Sequence, residues 1–190
     1  MRKVFPFFPD GVVDIPYNYF IFHINILHLH LSDDQGWRIE IKSLPELIKT
    51  GAWRVERHGS WRDRTAPEEE EASTYGGYFT QLEMKEIIQY AFERNVQILP
   101  EIDVPGHSLA AIASYNYLSC TKLHYKINAI NPITTENNAL CAGQEATYEF
   151  LEKIFYEIAS LFPFGYIHIG GDECNRSFWN NCMVCRKCKR

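Results

Sequence analysis

Long apolar runs are missing from this 190-residue chain. None approaches the ~20 residues that a membrane-crossing helix needs. Positive charge is also in deficit. Nineteen Lys and Arg against 24 Asp and Glu give a formal net charge of -5, which argues against nucleic acid or an anionic membrane as the main partner. A convincing secretory leader is lacking too. Met1 to Asp10 begins basic and apolar, but Pro6, Pro9 and Asp10 interrupt it, so the expectation is either a cytoplasmic chain or one whose true beginning lies upstream. The six cysteines (Cys120, Cys141, Cys174, Cys182, Cys185 and Cys188) lack the spacing of a complete zinc motif. The two CxxC pairs in the last three share Cys185, and a four-ligand site would have to borrow Cys174. The favoured expectation is therefore plain thiols in a tail and no metal, and spacing alone assigns no disulfides.

What is present is the material of a core. A hydrophobic fraction of 46%, with 14% aromatic residues, makes the chain globular and able to bury a sizeable interior. Residues 1–23, with Pro6, Pro9 and Pro16, show no clear periodicity and are set apart. The stretch from Ile24 to Leu31 alternates: leucines 27, 29 and 31 lie on one face, and Ile26, His28 and His30 on the other. That is a strand pattern, suited to a barrel wall with helices outside and a polar mouth within. Asp33 and Asp34 follow it. Residues 38–78 read as a long connection, with Glu68 to Glu71 as a solvated face.

Thr80 and Glu83 form a capping box, and Met84, Ile87, Ile88, Ala91 and Phe92 recur at helical spacing behind it. Val96 to Asp103 reads as a second strand, with Glu101 and Asp103 on one face. Pro105, Gly106 and His107 turn the chain, and Ser108 is a candidate cap for a short helix to about Leu118. Leu151, Ile154, Phe155, Ile158 and Phe162 mark a further helix that Pro163 ends. Tyr166 to Ile169 has the length and residue types of a buried strand, broken by Gly170 and Gly171. Asp172 and Glu173 follow the break.

Strand, helix, strand, helix, strand implies βαβ units and a parallel sheet. Parallel strands point the same way, so Asp33 and Asp34, Glu101 and Asp103 with His107, and Asp172 with Glu173 gather on one rim. Carboxylates clustered beside a histidine shift one another's proton affinities and divide acid and base roles. The bland alternative makes each acid a solvated turn or a cap. Two enzyme classes fit the rim. One is a carboxylate-based glycosidase. The other is a metal-dependent hydrolase with His28 and His30 as paired ligands, and the aromatic content favours sugars.

Several blocks then carry a resemblance: Asn25 to Arg38, Leu44 to Leu47 with Gly51 to Arg54, Tyr78 to Thr80, Pro100 to His107, Leu161 to Pro163, and His168 to Glu173 with Trp179. Together they resemble the catalytic domain of the β-N-acetylhexosaminidases of glycoside hydrolase family 20 over roughly residues 24–180, with loops similar to bacterial members. The resemblance implies an α/β fold, a partial (β/α)8 TIM barrel covering about strands 2–4 with their helices. It implies a domain over 24–180, preceded by an uncertain segment at 1–23 and followed by a Cys-rich tail at 181–190. It implies exo-acting, retaining removal of terminal β-linked N-acetylhexosamine without cofactor or metal, the substrate's own acetamido oxygen attacking C1.

In that scheme Glu173 is the general acid and then base, and Asp172 orients the acetamido group. Asp33 and His107 form a supporting polar network that tunes the glutamate, as a general acid working near neutrality requires. Glu101 and Asp103 belong to the same rim, and Trp179 lies near the aglycone. His168 is expected as a satisfied core histidine. The implied partner is an amino-sugar glycan, and the implied compartment periplasmic, secreted or lysosomal. A full barrel takes about 250 residues and eight strands, against three strands here, or four at most. The expectation is a truncated chain that is inactive alone and unstable or oligomeric. A non-catalytic remnant that binds amino sugars is the remaining alternative.

Overall fold

A computed structural model describes residues 25–59, 64–128 and 138–188. Residues 1–23, set apart in the sequence, lie outside it. The first strand, β1 (Ile26–His30), pairs in parallel with the strand at Gln97–Glu101, from Ile26 opposite Gln97 to His30 opposite Glu101. Leu27 and Leu29 are half-buried while His28 and His30 are exposed, so the expected two-faced character holds.

The third expected strand shrinks. Only one parallel bridge forms, between Glu101 and His168. Three backbone hydrogen bonds hold the segment: His168 N–H to Pro100 O at 2.9 Å, and Ile102 and Val104 N–H to His168 O and Ile169 O at 3.0 Å each. Tyr166 is 71% exposed and Ile169 54%, which corrects the expectation of a buried strand. Parallel strands are normally covered on both faces and flanked on both edges. No strand flanks the far side of this one among the described residues, so its apolar side chains meet solvent. The described strands form no closed barrel.

The connection at 38–78 and the residues just before it hold more structure than the sequence suggests. A short hairpin joins β2 (Ser32–Asp33) to β3 (Gly36–Trp37), helix α1 spans Glu46–Lys49, and β4 (Trp53–Arg54) pairs antiparallel with β5 (Tyr75–Gly76). Trp37, Ile39, Ile41, Leu44 and Leu47 from this stretch are buried in the core. Arg38 stitches it together by donating to the carbonyls of Ala52 and Gly77 at 2.9 Å and Gln35 at 3.0 Å. Two-residue strands leave no periodicity, which is why this stretch reads as a loop.

Helix α2 (Gln81–Phe92) starts as expected. Glu83 N–H donates to Thr80 Oγ1 at 3.2 Å and Thr80 N–H to the Glu83 carboxylate at 2.8 Å. Met84 and Ala91 are buried, with Ile87 and Ile88 packed beside them. Phe92 departs from the stripe and is exposed, because it sits about 100° round the helix from Ala91. The chain then enters β6 (Gln97–Glu101). Helix α3 (Leu109–Ser114) and a 3₁₀ turn (Asn116–Leu118) follow.

Helix α4 (Glu145–Leu161) buries Phe150, Ile154, Ile158 and Leu161, each such side chain stabilising the fold by about 1.5–3 kcal/mol. Its Glu157 anchors the connection by accepting from the backbone N–H groups of Lys42 (2.8 Å) and Ser43 (2.9 Å), and from Gln81 Nε2 (2.6 Å). The chain closes with α5 (Ser177–Asn181) and α6 (Met183–Lys187), where Cys185 is buried.

Candidate active site

The carboxyl ends of β1, β6 and the His168 segment converge, as parallel direction requires. Glu101, the last residue of β6, is buried, and three imidazoles close on its carboxylate. His28 Nε2 and His30 Nδ1 lie 2.8 Å from Oε2, and His168 Nδ1 lies 2.8 Å from Oε1. Burial works to raise the pKa of Glu101, but the His30 hydrogen bond and the nearby imidazole charges outweigh it and hold the carboxyl below its ordinary value. His30 also reaches Asp33 Oδ2 at 3.3 Å. Its pKa is raised to about 9, chiefly by the Asp33 hydrogen bond, against the burial that would lower it. His30 is therefore a cation at neutral pH. His168, expected as a core histidine, has a polar partner but is half-exposed, because the segment that carries it is open on its far side.

A second chain of contacts runs through His107. Its Nδ1 lies 3.3 Å from Asp33 Oδ1 and 3.5 Å from Asp34 Oδ2, and its Nε2 lies 3.4 Å from Glu173 Oε2. Burial pulls the His107 pKa down, but the charges of Asp34, Asp33, Asp103 and Asp172 win and raise it. The turn that carries His107 packs directly on the Asp172–Cys174 backbone. A Cβ on Gly106 would lie 3.3 Å from the Asp172 carbonyl oxygen. His107 and Glu173 both have positive φ, 46° and 47°. Side-chain-bearing residues resist that conformation, and it concentrates at functional sites.

Asp103 is buried behind the glycine pair. Its backbone N–H donates to Ser32 Oγ at 2.9 Å, and its Oδ1 accepts from Gly171 N–H at 3.4 Å. Burial raises its pKa. Gly170 has φ +65°, and a Cβ there would lie 1.8 Å from Asp103 Oδ1, so this close approach admits only glycine.

Sequence reasoning placed Asp34 on the rim and gave it no further task. It is the buried anchor of the site. Its Oδ1 accepts Leu109 N–H at 3.0 Å, capping α3 from across the fold, and its Oδ2 accepts Asn138 Nδ2 at 2.9 Å. Burial raises its pKa. Ser108, the expected cap, instead donates its hydroxyl to Gly106 O at 2.8 Å. Sequence spacing cannot report a cap supplied by a residue 75 positions away.

Asp172 and Glu173 are exposed, Glu173 with 77% of its side chain accessible. Trp179 is half-buried, with its indole N–H donated to Leu140 O at 2.9 Å. The six acids and His107 thus share one end of the parallel strands. Trp179 lies on α5, which follows them in the chain.

Carboxylates and an imidazole gathered at the ends of parallel strands define an acid–base site on an α/β scaffold. The sequence profile of the glycosyl hydrolase family 20 catalytic domain matches residues 20–190, and the chain belongs to that family. It is 39% identical, over 88% of its length, to a β-hexosaminidase of Porphyromonas gingivalis, and 40% identical, over 87%, to one of Vibrio furnissii. It spans only 20% and 26% of those two proteins. Among solved structures, a β-N-acetylhexosaminidase of Bacteroides fragilis superposes with a TM-score of 0.72 at 36% identity, over 90% of this chain and 30% of the other. An exo β-N-acetylglucosaminidase of Vibrio harveyi in complex with N-acetylglucosamine superposes with a TM-score of 0.68 at 37% identity, over 86% of this chain and 25% of the other. His28 and His30, the paired imidazoles of the metallohydrolase alternative, are both directed at Glu101.

Proposed function

We propose that the polypeptide carrying this chain removes terminal, non-reducing β-linked N-acetylhexosamine from glycans by substrate-assisted, retaining catalysis. The parallel segments at β1, β6 and His168 are, on this proposal, about strands 2–4 of a (β/α)8 barrel whose domain covers residues 24–180. Glu173 protonates the departing glycosidic oxygen and afterwards takes a proton from water. Asp172 holds the acetamido N–H, so that the acetamido oxygen sits below C1 and its attack is intramolecular, which removes much of the entropic cost of bringing up a nucleophile. The Asp172 carboxylate also stabilises the positive charge that develops there.

The observation that carries the proposal is His107, lying between Asp33 and Glu173 at 3.3 and 3.4 Å. That contact fixes one oxygen of an otherwise exposed carboxylate and links it to a buried acidic network. Glu101 and Asp103 act from behind, Glu101 by locking the imidazoles and Asp103 by locking the glycine turn. Trp179 supplies an aromatic wall toward the aglycone. The test is release of p-nitrophenol from p-nitrophenyl N-acetyl-β-glucosaminide with inhibition by a thiazoline mimic of the bicyclic intermediate. Inversion at C1, or turnover indifferent to the thiazoline, would overturn the acetamido step.

A further inference from the structure

Four of the six cysteines meet at one point, far apart in sequence and outside the carboxylate rim. Cys120 follows the 3₁₀ turn, Cys141 precedes α4, and Cys182 and Cys185 flank the start of α6. None of the six cysteines is joined in a disulfide among the described residues. The sulfurs of these four lie within 4.8 Å of one another. Three of the separations are 3.6 Å (Cys120 to Cys185), 3.5 Å (Cys141 to Cys185) and 3.9 Å (Cys141 to Cys182).

That spacing matches a tetrahedral metal site. Four thiolates around one zinc ion sit ~2.3 Å from the metal, and the edge of such a tetrahedron is about 1.63 times that length, roughly 3.8 Å. The surroundings fit as well. Cys141 and Cys185 are buried, and Cys120 and Cys182 half-buried. Backbone N–H groups of Val184 and Cys185 point at the Cys182 sulfur, an arrangement that suits a thiolate. Gly143 lets the loop after Cys141 lie against α6, since a Cβ there would fall 2.5 Å from Cys185 N.

We propose that Cys120, Cys141, Cys182 and Cys185 form a tetrathiolate site for one structural zinc ion. The ligand set is not the one the spacing suggested. Cys188 is exposed and Cys174 lies elsewhere, while Cys120 and Cys141 come from a loop whose ends are clipped by the Ser119–Leu140 bridge. A set of sulfurs this tight holds a single ion rather than a multi-iron cluster. The zinc ties the α5–α6 hairpin to the segments before α4. That hairpin carries Trp179 and follows Glu173 directly, so the metal positions the chain leaving the carboxylate rim. The site stands independently of the sugar chemistry.

The test begins with the full chain purified under reducing conditions. Elemental analysis should find one zinc per chain. Replacement by Co²⁺ should give a thiolate-to-metal charge-transfer band in the near ultraviolet and the intense visible bands of a tetrahedral ion. Cys120→Ser and Cys185→Ser should each lose at least tenfold in zinc content, while Cys174→Ser and Cys188→Ser keep it. His28→Gln should also keep it, which separates this site from the imidazole cluster on Glu101. Should the Cys120 or Cys185 variants fail to fold, the cobalt spectrum of the unaltered chain decides alone. Less than a tenth of a zinc per chain, iron in its place, two disulfides, or cobalt bands without thiolate charge transfer would each overturn the proposal.

Discussion

Glu101 and Glu173 stand at the ends of neighbouring parallel segments, yet the fold treats them in opposite ways. Glu101 is buried and held at 2.8 Å by three imidazoles. Glu173 is exposed, with a single ionic contact among the described residues, at 3.4 Å. The buried acid is over-determined and the exposed one nearly free. A carboxyl group surrounded by fixed partners cannot also reach a substrate, whereas one held at a single oxygen keeps its other for chemistry. On the proposed mechanism, the difference separates a scaffold that positions from a tip that reacts.

The sharpest way to break that contrast is to alter the tip. Glu173→Gln keeps the shape and removes the proposed proton donor, so the activity of the polypeptide carrying this chain on p-nitrophenyl N-acetyl-β-glucosaminide should fall about 10²- to 10⁴-fold. The melting free energy should move by no more than about 0.5 kcal/mol, as for other exposed substitutions. Loss of fold in this variant would show that the exposed acid is structural after all.

Asp34→Ala should behave in the reverse way. It leaves Leu109 N–H and the Asn138 amide without their acceptor, and unsatisfied buried groups cost about 1–3 kcal/mol each. A loss of about 2–4 kcal/mol by denaturant melting is expected, with Asp34→Asn losing less because one acceptor remains. Gly170→Ala comes next. The αL conformation costs a side-chain-bearing residue about 1–2 kcal/mol, and the new methyl would also drive Asp103 from its place. A neutral result would mean that the glycine turn is looser than its contacts imply.

How much of this was legible beforehand follows the same division. The capping box at Thr80, the stripe of α4 and the face shared by His28 and His30 are local patterns, and each appears in the fold. The gathering of Asp33, Glu101, Asp103, His107 and Glu173 also followed from strand direction alone. Asp34's remote cap, the Glu157 anchor and the Cys120–Cys141–Cys182–Cys185 cluster could not be foreseen. Their partners are brought together by tertiary packing, and no window of sequence contains both ends of such a contact. The exposed Tyr166 and Ile169 fail for a related reason: composition reports what a strand can bury, not whether a neighbour is there to cover it.

The smallest effect tests the buried side by pH. The folded pKa of His30, about 9, lies above its ordinary 6.5, so folding favours the protonated imidazole. Its contribution to stability is complete below about pH 6.5 and is lost as pH rises toward 9. Glu101 and Asp33, both held below their ordinary values, set the opposite limit, since their contribution disappears as acid protonates them. The pairing should therefore be strongest between those limits. Because His30 is 43% exposed, solvent screens the interaction and the slope should be shallow. His30→Gln should flatten denaturant stability between pH 6.5 and 9 relative to the unaltered chain. Parallel pH curves for the two would mean that the imidazoles around Glu101 fill space without holding charge, and that the buried end of the contrast rests on packing alone.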